Sequence, residues 1–218
     1  MKSLLSIIKK ATILTVALIV ICGVAYPLAL TGISQLVFPK QANGNLIQID
    51  GEMVGSELVG QQFTDPRFFQ GRVSSIHYNT YTEDELIVGL KDEVEYEGVA
   101  SGSYNYGTTN PALKERVEMD VQEFLKKHAT VRQEDIPADL LTASGSGLDP
   151  HISPKSAQIQ IPAIAQATGL SEQVIQEITK RNTQQKIIGV FGEEKVNVLK
   201  ANIDIACEIG LLNDTPYK

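Results

Sequence analysis

The stretch "ATILTVALIVICGVAYPLAL", Ala11–Leu30, decides what kind of fold this chain adopts. No charged residue falls between Ala11 and Phe38. Twenty helical residues at ~1.5 Å rise cover ~30 Å, the thickness of a bilayer's hydrocarbon core. A helix also satisfies its own backbone hydrogen bonds, as lipid requires. A cleaved signal peptide has a shorter apolar core of roughly 7–15 residues and a small-residue cleavage site. This run is longer, and the "TGISQLVFP" that follows stays uncharged and lacks a clear A-x-A. The sequence therefore predicts an uncleaved membrane helix over 11–34, bent where Pro27 interrupts it. Tyr26 and Phe38 fall where aromatic side chains meet the membrane interface.

The flanks set the orientation. Lys2, Lys9 and Lys10 precede the span with no acid among them. Positive residues on a short N-terminal loop stay in the cytoplasm. Residues 1–10 are thus expected inside the cell and residues 35–218 outside it, as an extracytoplasmic domain of a single-pass protein of a prokaryotic cell membrane. Setting these three lysines aside leaves 16 basic residues against 26 acidic ones, a charge of about −10. Such a domain argues against nucleic acid and anionic membrane surfaces as partners. Cys22 lies within the span and Cys207 near the C-terminus, so no disulfide framework is implied.

Beyond the span, "LIQIDGEMVG" reads as a hairpin about Asp50-Gly51. Tyr81–Gly98 holds seven acids and one lysine without calcium-loop spacing, and reads as a solvated excursion. Asn110 and Pro111 open a helix whose Leu113, Val117, Val121, Phe124 and Leu125 share one face. Ser153 and Pro154 open a second helix, Pro162 kinks or splits it, and Gly169 closes it. Ser171 caps a third. A last helix is expected from near Glu193 and Glu194, with Val196, Leu199, Ile203 and Ala206 inward. The fold class is α+β: one N-terminal transmembrane helix followed by a small α+β domain.

The most suggestive run for chemistry is "TASGSGLDPHIS", Thr142–Ser153. Ser144 and Ser146 lack the G-x-S-x-G of a nucleophile elbow. Triad members come from separated segments, so Asp149 and His151 beside these serines are no triad signature. Asp149 and His151 are two metal donors where three or four are needed, and His77 and His128 have no partner at helical spacing. The glycines lack the lysine of a phosphate loop. No catalytic residue and no metal site is expected. Such a domain works through partners; the alternative is a free-standing membrane-anchored binding or sensor domain. The loop is expected to be structural, so that valine at Gly145 or Gly147 harms assembly more than His151→Ala.

Several blocks resemble one family. "YPLALTGISQLVFPKQANGNLI", "GSELVGQQFTDPRFFQGRVSS", "ASGSYNYGTTNPAL", "DLLTASGSGLDPHISPKSAQIQIPAIA" and "VNVLKANIDIA" appear in order at compatible spacing. Together they resemble the C subunit of the Kdp-type potassium-transporting ATPase of bacteria and archaea. Val73 stands where that family has a proline, Tyr104 interrupts the serine-glycine step, and the acidic run at 83–97 is longer than usual. The resemblance implies an accessory subunit of a high-affinity ATP-driven K⁺ uptake complex, needed for its assembly and activity and without catalysis of its own. Its implied partners are a channel-like K⁺-binding subunit and a P-type ATPase subunit. The family is described as a catalytic chaperone that raises the ATPase subunit's affinity for ATP, a role the resemblance links to Gln160. No motif of this chain binds a cofactor, so ATP would enter only through the complex. ATP is cytoplasmic and the domain is expected outside, so the coupling would be indirect.

Overall fold

The computed structural model describes residues 2–80 and 99–213, and the acidic run at 83–97 lies outside them. The chain divides into two units, Met1–Leu46 and Ile47–Lys218.

The first unit is helical. Helix α1 (Lys2–Leu18) passes into a π-helix (Ile19–Ala25) and then into α2 (Tyr26–Val37). Pro27 explains the change of register. Its ring has no N–H and crowds the carbonyl four residues back. Just before it, Tyr26 N–H reaches five residues back to the Ile21 carbonyl. This is the only helix among the described residues long and apolar enough to cross a membrane, 35 residues over Ser3–Val37. None of its residues is buried, which suits a helix that is apolar on every side. A short helix α3 (Pro39–Ala42) follows. The paired carboxamides of Gln35 and Asn43 hold it to the end of α2.

The second unit is a mixed α+β domain. Strands β1 (Leu46–Ile49) and β2 (Glu52–Ser56) form the expected hairpin. Its Asp50-Gly51 turn has positive φ at both positions, 51° and 88°, the form favoured by right-handed strand twist. Ile47 and Ile49 alternate inward and pack on Leu199 and Ile203.

Helix α4 (Pro111–Lys127) is capped by the Asn110 side chain, which accepts from Ala112 N. It buries Val121 and Phe124. Helix α5 (Ala138–Leu141) leads to strand β3 (His151–Ile152). Pro162 splits the following helix into α6 (Pro154–Gln158) and α7 (Ile161–Thr168), and Gly169 closes it at φ 77°. Helix α8 (Glu172–Arg181) is capped by Ser171. Strands β4 (Thr183–Gln184) and β5 (Lys195–Asn197) join β3 in an antiparallel sheet of order β3-β5-β4.

The last helix differs from expectation. Helix α9 (Val198–Glu208) starts at Val198 rather than near Glu193 and Glu194. Val196 pairs with Ile152 on one side and Thr183 on the other, and Asn197 then caps the helix through Lys200 N. A central strand claims the β-branched residue, so the helix begins where a capping side chain permits it. The main core gathers Phe69, Ile152, Ile161, Ile164, Ile175, Ile178, Val196 and Ile205.

One buried group makes the domain acid-sensitive. His128 ends α4, stacks on Phe124 with ring centroids 4.2 Å apart, and is 5% exposed. Neither ring nitrogen has a hydrogen-bond partner among the described residues. Burial, helped by the charge of Lys127, pushes its pKa down to about 4. The unfolded chain therefore binds a proton near pH 6.5 that the folded chain refuses until about pH 4. Stability is full above pH 6.5 and falls as the pH drops toward 4. Between pH 7.5 and 4.5 the full chain in detergent should lose about 2–3 kcal/mol, by 1.36 kcal/mol per pKa unit. Urea unfolding checks this, and His128→Phe should flatten that part of the pH profile.

Candidate functional site

The run Thr142–Ser153 is the meeting point of four segments. Its own backbone turns tightly: Gly147 N–H donates to Ser144 O, and Gly147 has φ +69°. The Gly60 amide donates to the Leu148 carbonyl at 2.8 Å, and the Gly102 amide to the Ser146 carbonyl at 2.9 Å. Ser74 Oγ donates to the Gly147 carbonyl at 2.7 Å and accepts from Tyr78 N at 3.0 Å.

That last contact locks an unusual turn. His77, Tyr78 and Asn79 all have positive φ, at 47°, 55° and 55°. Three successive non-glycine residues in the left-handed region are strained and persist only when their surroundings over-determine them. Here Asn79 clasps both backbone groups of Ala100, at 2.9 and 3.0 Å. The Tyr78 hydroxyl donates to the Arg72 carbonyl at 2.7 Å. Burial, reinforced by the charge of Asp149, pushes that phenol up to about 12, so it stays a donor.

The charged heart of the site is Asp149. Its Oδ2 accepts from Arg72 Nη1 at 3.0 Å, and its Oδ1 accepts from His151 N at 3.0 Å, with His151 Nδ1 at 3.4 Å. Burial pushes its pKa up, but the hydrogen bonds from His151 and Arg72 outweigh this and hold it at about 2. Arg72 also reaches the carbonyl and hydroxyl of Thr142. Downstream, Asp139 accepts from the backbone and hydroxyl of Ser153 and from the Ser156 hydroxyl, which fixes the start of α6.

The predicted residues therefore have structural partners. Ser144 is buried, and Ser146 Oγ accepts from Leu148 N. No hydrogen bond joins either serine to His151 among the described residues. No cluster of three or more His, Cys, Asp or Glu among them has metal-site geometry. Neither cysteine is in a disulfide among the described residues.

Gln160 lies in the core, fully buried, between α6 and α7. Its Oε1 accepts from Gln70 N at 2.8 Å, and its Nε2 donates to Gln70 O at 3.2 Å and Ser156 O at 3.1 Å. One residue earlier, Asn202 makes the matching pair: Oδ1 accepts from Phe69 N at 2.8 Å and Nδ2 donates to Phe69 O at 2.9 Å. Two side-chain amides thus act as a borrowed strand edge for the extended Phe69-Gln70 segment. This satisfies backbone groups that burial would otherwise leave unpaired.

Beside the Asp149–His151 pair lies a cleft of about 480 Å³, walled by the β4–β5 connection. The sequence singled out Asp149 and His151, and the family resemblance singled out Gln160; neither pointed to Arg72, Ser74, Tyr78, Asp139 or Asn202. A signal was available for Asn202, an amide set among the inward apolar positions of "VLKANIDIA".

Known proteins share this arrangement of blocks. The family described as the K⁺-transporting ATPase, c chain (KdpC) matches residues 8–206. The chain is similar to the potassium-transporting ATPase KdpC subunit of Clostridioides difficile (strain 630), 56% identical over 94% of this chain and 99% of the relative. It is 56% identical to the same-named subunit of Clostridium kluyveri, over 94% and 96% of the two chains. For that of Caldanaerobacter subterraneus subsp. tengcongensis the figure is 44%, over 93% and 95%.

Proposed function

This chain belongs to the KdpC family, the C chain of K⁺-transporting ATPases, and we propose that it serves its pump as a non-catalytic accessory subunit that raises the ATP affinity of a P-type partner. A channel-like K⁺-binding subunit is its second partner. The chain is a membrane protein with Ser3–Val37 as its candidate spanning helix. Lys2, Lys9 and Lys10 favour a cytoplasmic N-terminus, and the domain over 35–218 then works on the outer face.

The observation that supports an accessory role is the commitment of the polar groups. Asp149 is held by Arg72 and His151, and Gln160 by Gln70 and Ser156. A nucleophile or base needs a partner poised toward substrate; these groups are already bonded within the domain. Gln160 in particular offers no free amide to a nucleotide. We assign it an indirect part: it shapes a domain that prefers one conformational state of the pump, and that preference appears at the ATP site as affinity.

The test compares the reconstituted pump with and without this subunit. We expect K⁺-stimulated ATPase activity to collapse without it, and the residual activity to show a KM for ATP on the order of tenfold higher, a coupling of ~1.4 kcal/mol. The purified chain alone should hydrolyse no ATP. An unchanged KM, with or without a fall in kcat, would refute the affinity role. For topology, Cys is introduced at the exposed Met119 in a chain whose Cys22 and Cys207 are replaced. An impermeant maleimide should label it on intact cells; labelling only after lysis would reverse the orientation.

A further inference from the structure

The β4–β5 connection carries a tip that stands exposed among the described residues. Ile187 and Phe191 pair through both backbone bonds, at 2.9 and 3.0 Å, and the chain reverses between them. Ile188 and Gly189 make the reversal with positive φ, 55° and 73°. Such a turn favours Asn-Gly, and a β-branched residue at φ > 0 is a genuine outlier. Ile188 is also 87% exposed, and Ile187, Val190 and Phe191 are 64%, 74% and 66% exposed. Strain and an exposed apolar cluster thus coincide at one residue, and nothing among the described residues offsets either. Exposed apolar patches rimmed by polar groups mark interaction sites.

The rim indicates what covers the tip. Ile187 and Phe191 form the apolar wall of the 480 Å³ cleft beside Asp149. Its charged lining consists of Arg72, Lys195, Asp139, Asp149, Glu193 and Glu194. Arg72 is neutralised by Asp149, and Asp139 is occupied by Ser153 and Ser156. Glu193 and Glu194 form no ion pair among the described residues, and they outnumber Lys195. The open charge is negative, directly beside an apolar knob.

We propose that this tip and cleft are the docking surface for a partner subunit of the pump. The docked segment is extended, places aliphatic or aromatic side chains against Ile188 and Phe191, and sets a lysine or arginine beside Glu193 and Glu194. The proposal rests on the reading that the chain works inside the K⁺ pump. It adds where the chain is held and by what chemistry.

The strain at Ile188 makes the test discriminating. Ile188→Gly removes the left-handed penalty and the apolar knob together. The full-length variant in detergent should therefore melt at or above the wild-type temperature, yet be retained by the purified pump at least tenfold less well. The charge-reversed pair Glu193→Lys, Glu194→Lys should also weaken retention at least tenfold, more so at low salt. A photo-crosslinking p-benzoylphenylalanine at position 188 should join another pump subunit within a few residues of a lysine or arginine. The same group at Met119, exposed on α4, should not. Adducts only to lipid, only to a second copy of this chain, or none at all would overturn the proposal, as would wild-type retention of Ile188→Gly. If wild-type chain itself is not retained, the pump reading fails first and this inference with it.

Discussion

Gly147→Val should unfold the loop at Thr142–Ser153 and abolish assembly, while Gly145→Val should leave both nearly intact. At Gly147 an added Cβ would sit 2.7 Å from Ile76 Cγ1 and 2.8 Å from the Gly102 carbonyl oxygen, and φ is +69°. A valine there meets a backbone atom that cannot yield without breaking the Gly102–Ser146 bond. Left-handed strain costs roughly 1–2 kcal/mol and overpacking about 1–3 kcal/mol. A loss of about 2–5 kcal/mol is a large share of a domain's typical 5–15 kcal/mol. Gly145 has nothing within 4 Å of an added Cβ. The sequence treats the two glycines alike; the structure separates them. Urea midpoints and retention by the pump should place His151→Ala near Gly145→Val. Equal losses from the two glycine variants would refute this steric account.

Gln160→Leu and Asn202→Leu form the second large effect. Each leaves an N–H and a carbonyl of the Phe69-Gln70 segment without a side-chain partner inside the core. An unsatisfied buried polar group costs about 1–3 kcal/mol, so each change, which leaves two, should cost about 2–6 kcal/mol. The two carboxamides hold adjacent residues of one segment. Once either is lost the segment is already loosened, and the double variant should cost less than the sum. A double-mutant cycle in urea measures this. The same proteins also judge the role of Gln160 in the pump. A Gln160→Leu subunit of wild-type stability that still raised the KM for ATP would make Gln160 a contact residue and reject the indirect account.

Much of the fold was legible because its signals are local. The uncharged run after Ala11, the Asp50-Gly51 turn, and the caps at Asn110, Ser153, Ser171 and Gly169 act within a few residues of themselves. The three-stranded sheet was not legible. Strands β3 and β4 are two residues each, too short to show any periodicity. Glu193 and Glu194 imitate the acidic first turn of a helix, yet Val196 belongs to the central strand. The loop at Thr142–Ser153 announced itself by composition, but its partners Arg72 and Ser74 lie more than 65 residues upstream. Gln160 and Gln70 are separated by 90 positions. Pairings of that range are set by the folded core and leave no trace in spacing.

Helix α9 carries a consequence for how the chain is made. Ile47 and Ile49 wait for Leu199 and Ile203, the Glu57 carbonyl for Asn197, and Phe69 for Asn202. At about 5–20 residues per second, the roughly 150 intervening residues keep the first hairpin uncovered for on the order of 10–30 s. The membrane helix leaves the ribosome early and needs nothing downstream. The hairpin behind it stays bare until Asn197, Leu199 and Ile203 have been made. A ribosome that stops before Val198 thus leaves the hairpin uncovered, because helix α9 supplies the residues that close over it.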